Sequence, residues 1–257
     1  MSTQGDAGGK AKTMREIPVL FNGAMVRAIF DDRKTQTRRI VKPHLQQVEA
    51  WRTDGHGRFY GVSRLATTGG LGVPETDFIE NPLGKPGDRL WVRETWMPYD
   101  TSTEDDAVWV LYKASNDQRP DGIAPEKFGS GVRRSAPVQV VEWARDVIEM
   151  EEVVGGRWRP SIHMPRWAAR LFLDVLDVRI ERLQDISEED ARAEGVEQCG
   201  GFMTTWGCWM NYGKSGPSCK TARESFQTLW ISVYGEESWA ANPWVWVTEF
   251  KRVTQTL

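Results

Sequence analysis

No stretch of the 257 residues approaches the roughly 18 consecutive apolar residues of a membrane-spanning helix. The first 16 residues, MSTQGDAGGKAKTMRE, are small, polar and glycine-rich and lack the apolar segment of a secretory signal. They read as a disordered leader. Cysteine is scarce: three thiols, an odd number, argue against a disulfide framework and for a reducing, cytoplasmic setting. Cys199, Cys208 and Cys219 form no CxxC pair, and His44, His56 and His163 lie far from them along the chain. No metal site and no cofactor are therefore expected. There is also no GxGxxG after a strand, no P-loop, no GxSxG and no HExxH, so the commonest nucleotide, hydrolase and zinc-protease signatures are missing. The net charge of −3 gives no general attraction to nucleic acid, and any such contact must be local.

What the chain has in excess is tryptophan, 13 in all. Two readings fit: large core side chains, or a minority that line a stacking surface. It also has one concentrated cationic stretch, Met25–Pro43 (MVRAIFDDRKTQTRRIVKP). Six cations against two carboxylates give a local charge of +4 there. The stretch begins as a short amphipathic helix after Asn22, a good N-cap, with Phe21 and Val26 spaced as a hydrophobic staple. From Thr35 the period changes to two. Thr35, Thr37, Arg39 and Val41 share one face, and Gln36, Arg38, Ile40 and Lys42 the other. A strand so polar is poor core material, and its polar face is expected to line a site.

The remaining elements follow from punctuation. Ile17–Phe21 contains Pro18 and reads as an edge strand. Lys85-Pro86-Gly87-Asp88 is a turn that launches a strand over Arg89–Trp96, with Val108–Lys113 as its hairpin partner or close neighbour. A long strand is expected at about Leu171–Leu183 and a closing one at Trp244–Val253. Ser187 with Asp190, ending at Gly195, marks the best-defined helix, inside a segment (181–197) whose seven carboxylates and two arginines give −5. Thr221 with Glu224 opens another helix. Residues 44–83, 114–157 and 197–220 read as insertions, the second with one short helix, in a single domain over 17–253. Strands without a βαβ rhythm predict an α+β fold around a small mixed or antiparallel barrel.

Three groupings could carry chemistry. Lys34 with Thr37 is either a solvated basic turn or a hydroxyl nucleophile with an amine near enough to take its proton. Glu194, in the last turn of the 187–195 helix, opposes the helix dipole and is either an ordinary surface acid or a proton donor beside the basic site. Arg38, Arg39, Trp91, Arg93, Arg159, Arg166 and Trp167, with Glu94 and His163 in the same segments, could clamp phosphate and stack on bases. The alternative is a salt-bridged rim over core tryptophans.

Taken together, RKTQTRR (33–39), KPGDRLWVRETW (85–96), WRPSIHMPRWAAR (158–170), LQDISEEDARAEG (183–195) and NPWVWVTEFKRV (242–253) resemble the ASCH family of the PUA-like superfamily, in its tryptophan-rich phage and prophage form. The resemblance implies a PUA-like β-barrel with flanking helices and a cleft for RNA, DNA, a nucleotide or a modified base, in a bacterial host's cytoplasm. Some small bacterial members hydrolyse N4-acetylcytidine. By motif, their base, nucleophile and acid correspond to Lys34, Thr37 and Glu194. Three functions are thus expected to compete: recognition of a nucleobase in nucleic acid through a basic, aromatic cleft, hydrolysis of an N-acylated nucleoside, and docking onto a host protein that handles nucleic acid.

Overall fold

The computed structural model describes residues 14–62, 76–104, 106–116, 132–152, 157–199, 207–213 and 218–253. In chain order the elements are β1 (Glu16–Leu20), α1 (Gly23–Phe30), β2 (Gln36–Ile40), β3 (Ala50–Thr53), β4 (Arg58–Val62), β5 (Ile79–Glu80), β6 (Arg89–Arg93), β7 (Trp96–Ser102) and β8 (Ala107–Tyr112). There follow α2 (Lys113–Asn116), β9 (Val132–Ser135), α3 (Val138–Glu152), β10 (Phe172–Arg182), α4 (Glu188–Ala193), α5 (Ala222–Tyr234), α6 (Glu236–Ala240) and β11 (Trp244–Arg252). Among the described residues no helix is long and apolar enough to cross a membrane.

The architecture is α+β. A five-stranded mixed sheet runs β1-β6-β10-β11-β2, flanked by two three-stranded sheets, β3-β4-β5 and β7-β8-β9. β1 is an edge strand, so the missing N–H of Pro18 costs no internal ladder bond. β2 is the opposite edge. Strand pairing among the described residues does not close the sheet into a barrel. The two edges are instead tied by a side chain, Arg39 Nη2 donating to the Leu20 carbonyl at 3.2 Å.

Local chemistry explains the element boundaries. Asn22 accepts from the Met25 N–H, Ser187 from Asp190 and Thr221 from Glu224, so α1, α4 and α5 each start on a side-chain cap. At the turn before β6, Gly87 has φ of +91°, and Asp88 Oδ2 accepts from the Lys85 N–H at 3.1 Å. On α5, buried Phe226 and Trp230 face a cluster with Leu183, Ile186, Val245 and Val247, each worth about 1.5–3 kcal/mol for full burial.

Three expectations change. The strand foreseen over Arg89–Trp96 breaks after Arg93, because Glu94 turns inward to a bidentate pair with Arg170 (2.8 Å to each nitrogen). A second strand, β7, starts at Trp96, and it rather than β6 is the partner of β8. The 114–157 region holds more than one short helix: α3 has 15 residues and packs Val141 and Ala144 into a cluster with Trp96, Val108 and Val110. The 44–83 region, read as an insertion, contains a hairpin of β3 and β4 whose connection is 54–57.

Candidate active site

Lys34 lies between α1 and β2, where its own amide and that of Arg33 both donate to the Ala28 carbonyl. This tight exit from α1 turns the lysine inward, where its side chain is 2% exposed. Its Nζ donates to Gln36 O at 2.7 Å, to Glu194 O at 3.0 Å and to Glu194 Oε2 at 2.8 Å. Glu194 caps α4, and its backbone bridges to Lys34. The 160 residues between the two are thus spanned by both a backbone bridge and a buried ion pair. Burial pushes the Lys34 ammonium below the ordinary lysine value of 10.5, and the Glu194 charge only partly offsets it.

Arg38 completes the arrangement. Its guanidinium, 1% exposed, reaches Glu194 Oε1 at 3.1 Å, Glu181 Oε1 at 2.5 Å and Asp190 Oδ2 at 3.2 Å, and donates to Gln36 Oε1 as well. Gln36 Nε2 in turn donates to Asp190 and Glu249, and Arg179 pairs with Glu181, Asp190 and Glu249. Three cations and four carboxylates are therefore interlocked beneath α4. Arg33, Lys34 and Arg38 of the 25–43 stretch thus pair with carboxylates of the 181–197 stretch.

Asp190 shows the consequence. Burial alone would raise its pKa, but the Gln36 hydrogen bond and the Arg179 and Arg38 charges lower it below the usual aspartate value. A depressed folded-state pKa gives stability that is present above the unfolded value of about 3.9 and lost as pH falls through the folded one. Urea midpoints are accordingly expected to be level from pH 7 to 5 and to fall below about pH 4. Asp190→Asn should flatten that decline.

Lys34, Thr37 and Glu194 line one cavity of about 70 Å³, walled by α1, β2 and α5. Arg39, Tyr212, Trp230 and Tyr234 also line it. Thr37 is 1% exposed and sits opposite Thr248 in the β2–β11 ladder. Gly195, directly after Glu194, has φ of +88°, and a Cβ there would meet Lys34 Cβ at 2.8 Å and Ala28 Cβ at 3.1 Å. Gly195→Ala is expected to destabilise the fold by about 1–3 kcal/mol in urea melts, because strain and clash act together.

The other residues expected at a site are scattered. Of the arginine and tryptophan set only Arg38 and Arg39 line the Lys34 cavity; Trp91, Arg93, Arg159, Arg166 and Trp167 do not. Arg38, expected to clamp phosphate, is enclosed by carboxylates, and Glu94 is consumed by Arg170. Trp91 is buried in the β7–α3 core with Arg93 stacked on it at 4.6 Å, and Arg93 also donates to the Ile162 carbonyl. Arg166 pairs with Glu16 at 2.7 Å. Arg159, His163 and Trp167 line a separate cleft. Residues not foreseen are Glu181 and Asp190, whose only signal was the opposite charge of the two stretches, and Tyr212, Trp230 and Tyr234; Gln36 had stood only as a neighbour of Arg38 on one face of the polar strand. Among the described residues no group of three or more His, Cys, Asp or Glu side chains is placed to hold a metal ion.

Comparison with family models, with curated proteins and with solved structures finds no match to this chain.

Proposed function

We propose that this chain is an ASCH-type, PUA-like protein that hydrolyses the amide of an N-acylated nucleobase. In this reading the five-stranded sheet corresponds to the wall of the PUA-like barrel, and the enzyme works in a bacterial host's cytoplasm. One observation carries the proposal: Lys34, Thr37 and Glu194, which carry an amine, a hydroxyl and a carboxyl, line the same cavity.

The acceptors around Lys34 suggest how the base is made. Two are backbone carbonyls, which can only accept. Glu194 Oε2 is the third, and it alone can take a proton from Nζ and return it. Transfer along that 2.8 Å contact gives a neutral amine beside a neutral acid, and burial favours the uncharged form of Lys34. The amine takes the Thr37 hydroxyl proton as Oγ adds to the amide carbonyl carbon. The tetrahedral intermediate collapses with cleavage of the C–N bond, and Glu194 supplies the proton to the departing amino nitrogen. Water then adds to the acyl-Thr37 ester; its oxygen and one hydrogen leave in the carboxylic acid, its other hydrogen returns to Oγ, and the Lys34–Glu194 pair relays that proton with no net change.

A volume of about 70 Å³ is little more than two waters' share of liquid. It suits an acyl group and its amide, with the base held at the mouth among Arg39, Tyr212 and Tyr234. The test is incubation of purified protein with N4-acetylcytidine and with N-acetylated adenosine and guanosine, following release of the free nucleoside. Release from at least one is expected, and release from none overturns the proposal.

A further inference from the structure

A second, larger cleft of about 680 Å³ opens between α3, the start of β7 and the 157–167 segment, within the range of small-molecule sites. Four tryptophans (Trp96, Trp143, Trp158 and Trp167), two arginines and His163 line it, and none of its described lining residues is Asp or Glu. The frame is fixed: Arg159 and Trp96 exchange backbone hydrogen bonds at 2.8 and 3.2 Å, holding the 157–160 segment beside β7. Trp96 meets Trp167 edge-on at 5.7 Å and Trp143 at 6.4 Å, while the Arg159 guanidinium lies 5.3 Å from the Trp143 ring.

Two features separate this from an ordinary core. Trp143 is 41% exposed on a helix that otherwise buries little, so a large indole is presented at a cleft wall. Trp96 is 1% exposed, yet its Nε1–H has no hydrogen-bond partner. Buried indole N–H groups normally find an acceptor, and this one lies unsatisfied in a residue that lines the cleft. Aromatic faces and cations, with no carboxylate among the described lining residues, match a planar aromatic ring that carries negative charge.

We propose that this cleft binds a nucleotide unit, with the base stacked on the exposed tryptophan wall and the phosphate held by Arg159 and His163. The site is separate from the Lys34 cavity and does not rest on the hydrolase reading, because its test measures binding and not turnover. Fluorescence anisotropy of a 5′-fluorescein-labelled dodecauridylate should show saturable binding that weakens as salt is raised, because phosphate contacts release counterions. Trp143→Ala should weaken it roughly 5- to 150-fold, the range expected for losing one base–aromatic stack. His163→Ala should weaken it and lower the salt dependence. Both positions are exposed, so melting by circular dichroism can show each variant folded. Competition by free UMP or AMP at comparable site concentration would identify a mononucleotide site, whereas competition by unlabelled strand alone would identify a single-strand site. Absence of binding by strand and mononucleotides, or wild-type affinity in folded Trp143→Ala and His163→Ala, overturns the proposal.

Discussion

Arg38→Met is expected to lower the free energy of unfolding by about 3–5 kcal/mol, the usual cost of removing one partner from a buried ionic network. The guanidinium meets Glu181, Asp190 and Glu194, accepts no solvent contact to compensate, and sits 5.7 Å from the Phe226 ring. Methionine fills most of the volume but leaves three carboxylates to share Lys34 and Arg179. Asp190 would then lose one of the charges that hold its pKa below the usual aspartate value, so the variant's deficit against wild type should narrow as pH falls below about 4. Urea melts at pH 7 and pH 3 measure both effects. Arg52→Met, at an exposed position of β3, should shift stability by no more than about 0.5 kcal/mol. A deficit below about 1 kcal/mol for Arg38→Met, or one independent of pH, would mean that the network is not a unit.

Thr37→Val should reduce kcat for the N-acylated nucleoside by at least about 10³-fold, as expected when a nucleophile is deleted from residues that act together. Valine keeps the branched shape that the β2–β11 ladder accommodates opposite Thr248, so the melting temperature should change little. Thr37→Ser keeps the hydroxyl and should retain measurable turnover. The pH profile supplies an independent readout. Lys34 is held below the ordinary lysine value by burial, so the rate should rise with pH through an apparent pKa below 10.5 that belongs to the Lys34–Glu194 pair. Turnover by Thr37→Val within tenfold of wild type would remove the nucleophile role.

Much of the secondary structure could be read locally. Asn22, Ser187 and Thr221 announce their helices because a capping side chain reaches only three residues ahead, and Pro18 announces an edge because an edge is where its missing donor is harmless. The 15 residues of α3 were harder to see. Only Val141 and Ala144 of its apolar residues are fully buried, while Val138, Trp143 and Met150 are exposed, so its apolar stripe is too narrow to stand out. The break between β6 and β7 was invisible for another reason: it depends on Arg170, 76 residues away, drawing Glu94 inward.

The same division runs through the site. Lys34, Thr37 and Glu194 could be named from a strand's alternation and a helix's final turn, and two stretches of opposite charge were plain in the sequence. Residue types and short-range periods determine that much, since caps, turns and alternation act over a few residues. Only the tertiary structure decided that the basic and acidic stretches face each other, that Arg38 serves three carboxylates and not a phosphate, and that the tryptophans of 158–167 open onto a cleft of their own. Those outcomes turn on which buried charges pack together across some 150 residues of chain, and desolvation makes each such pairing a property of the whole fold.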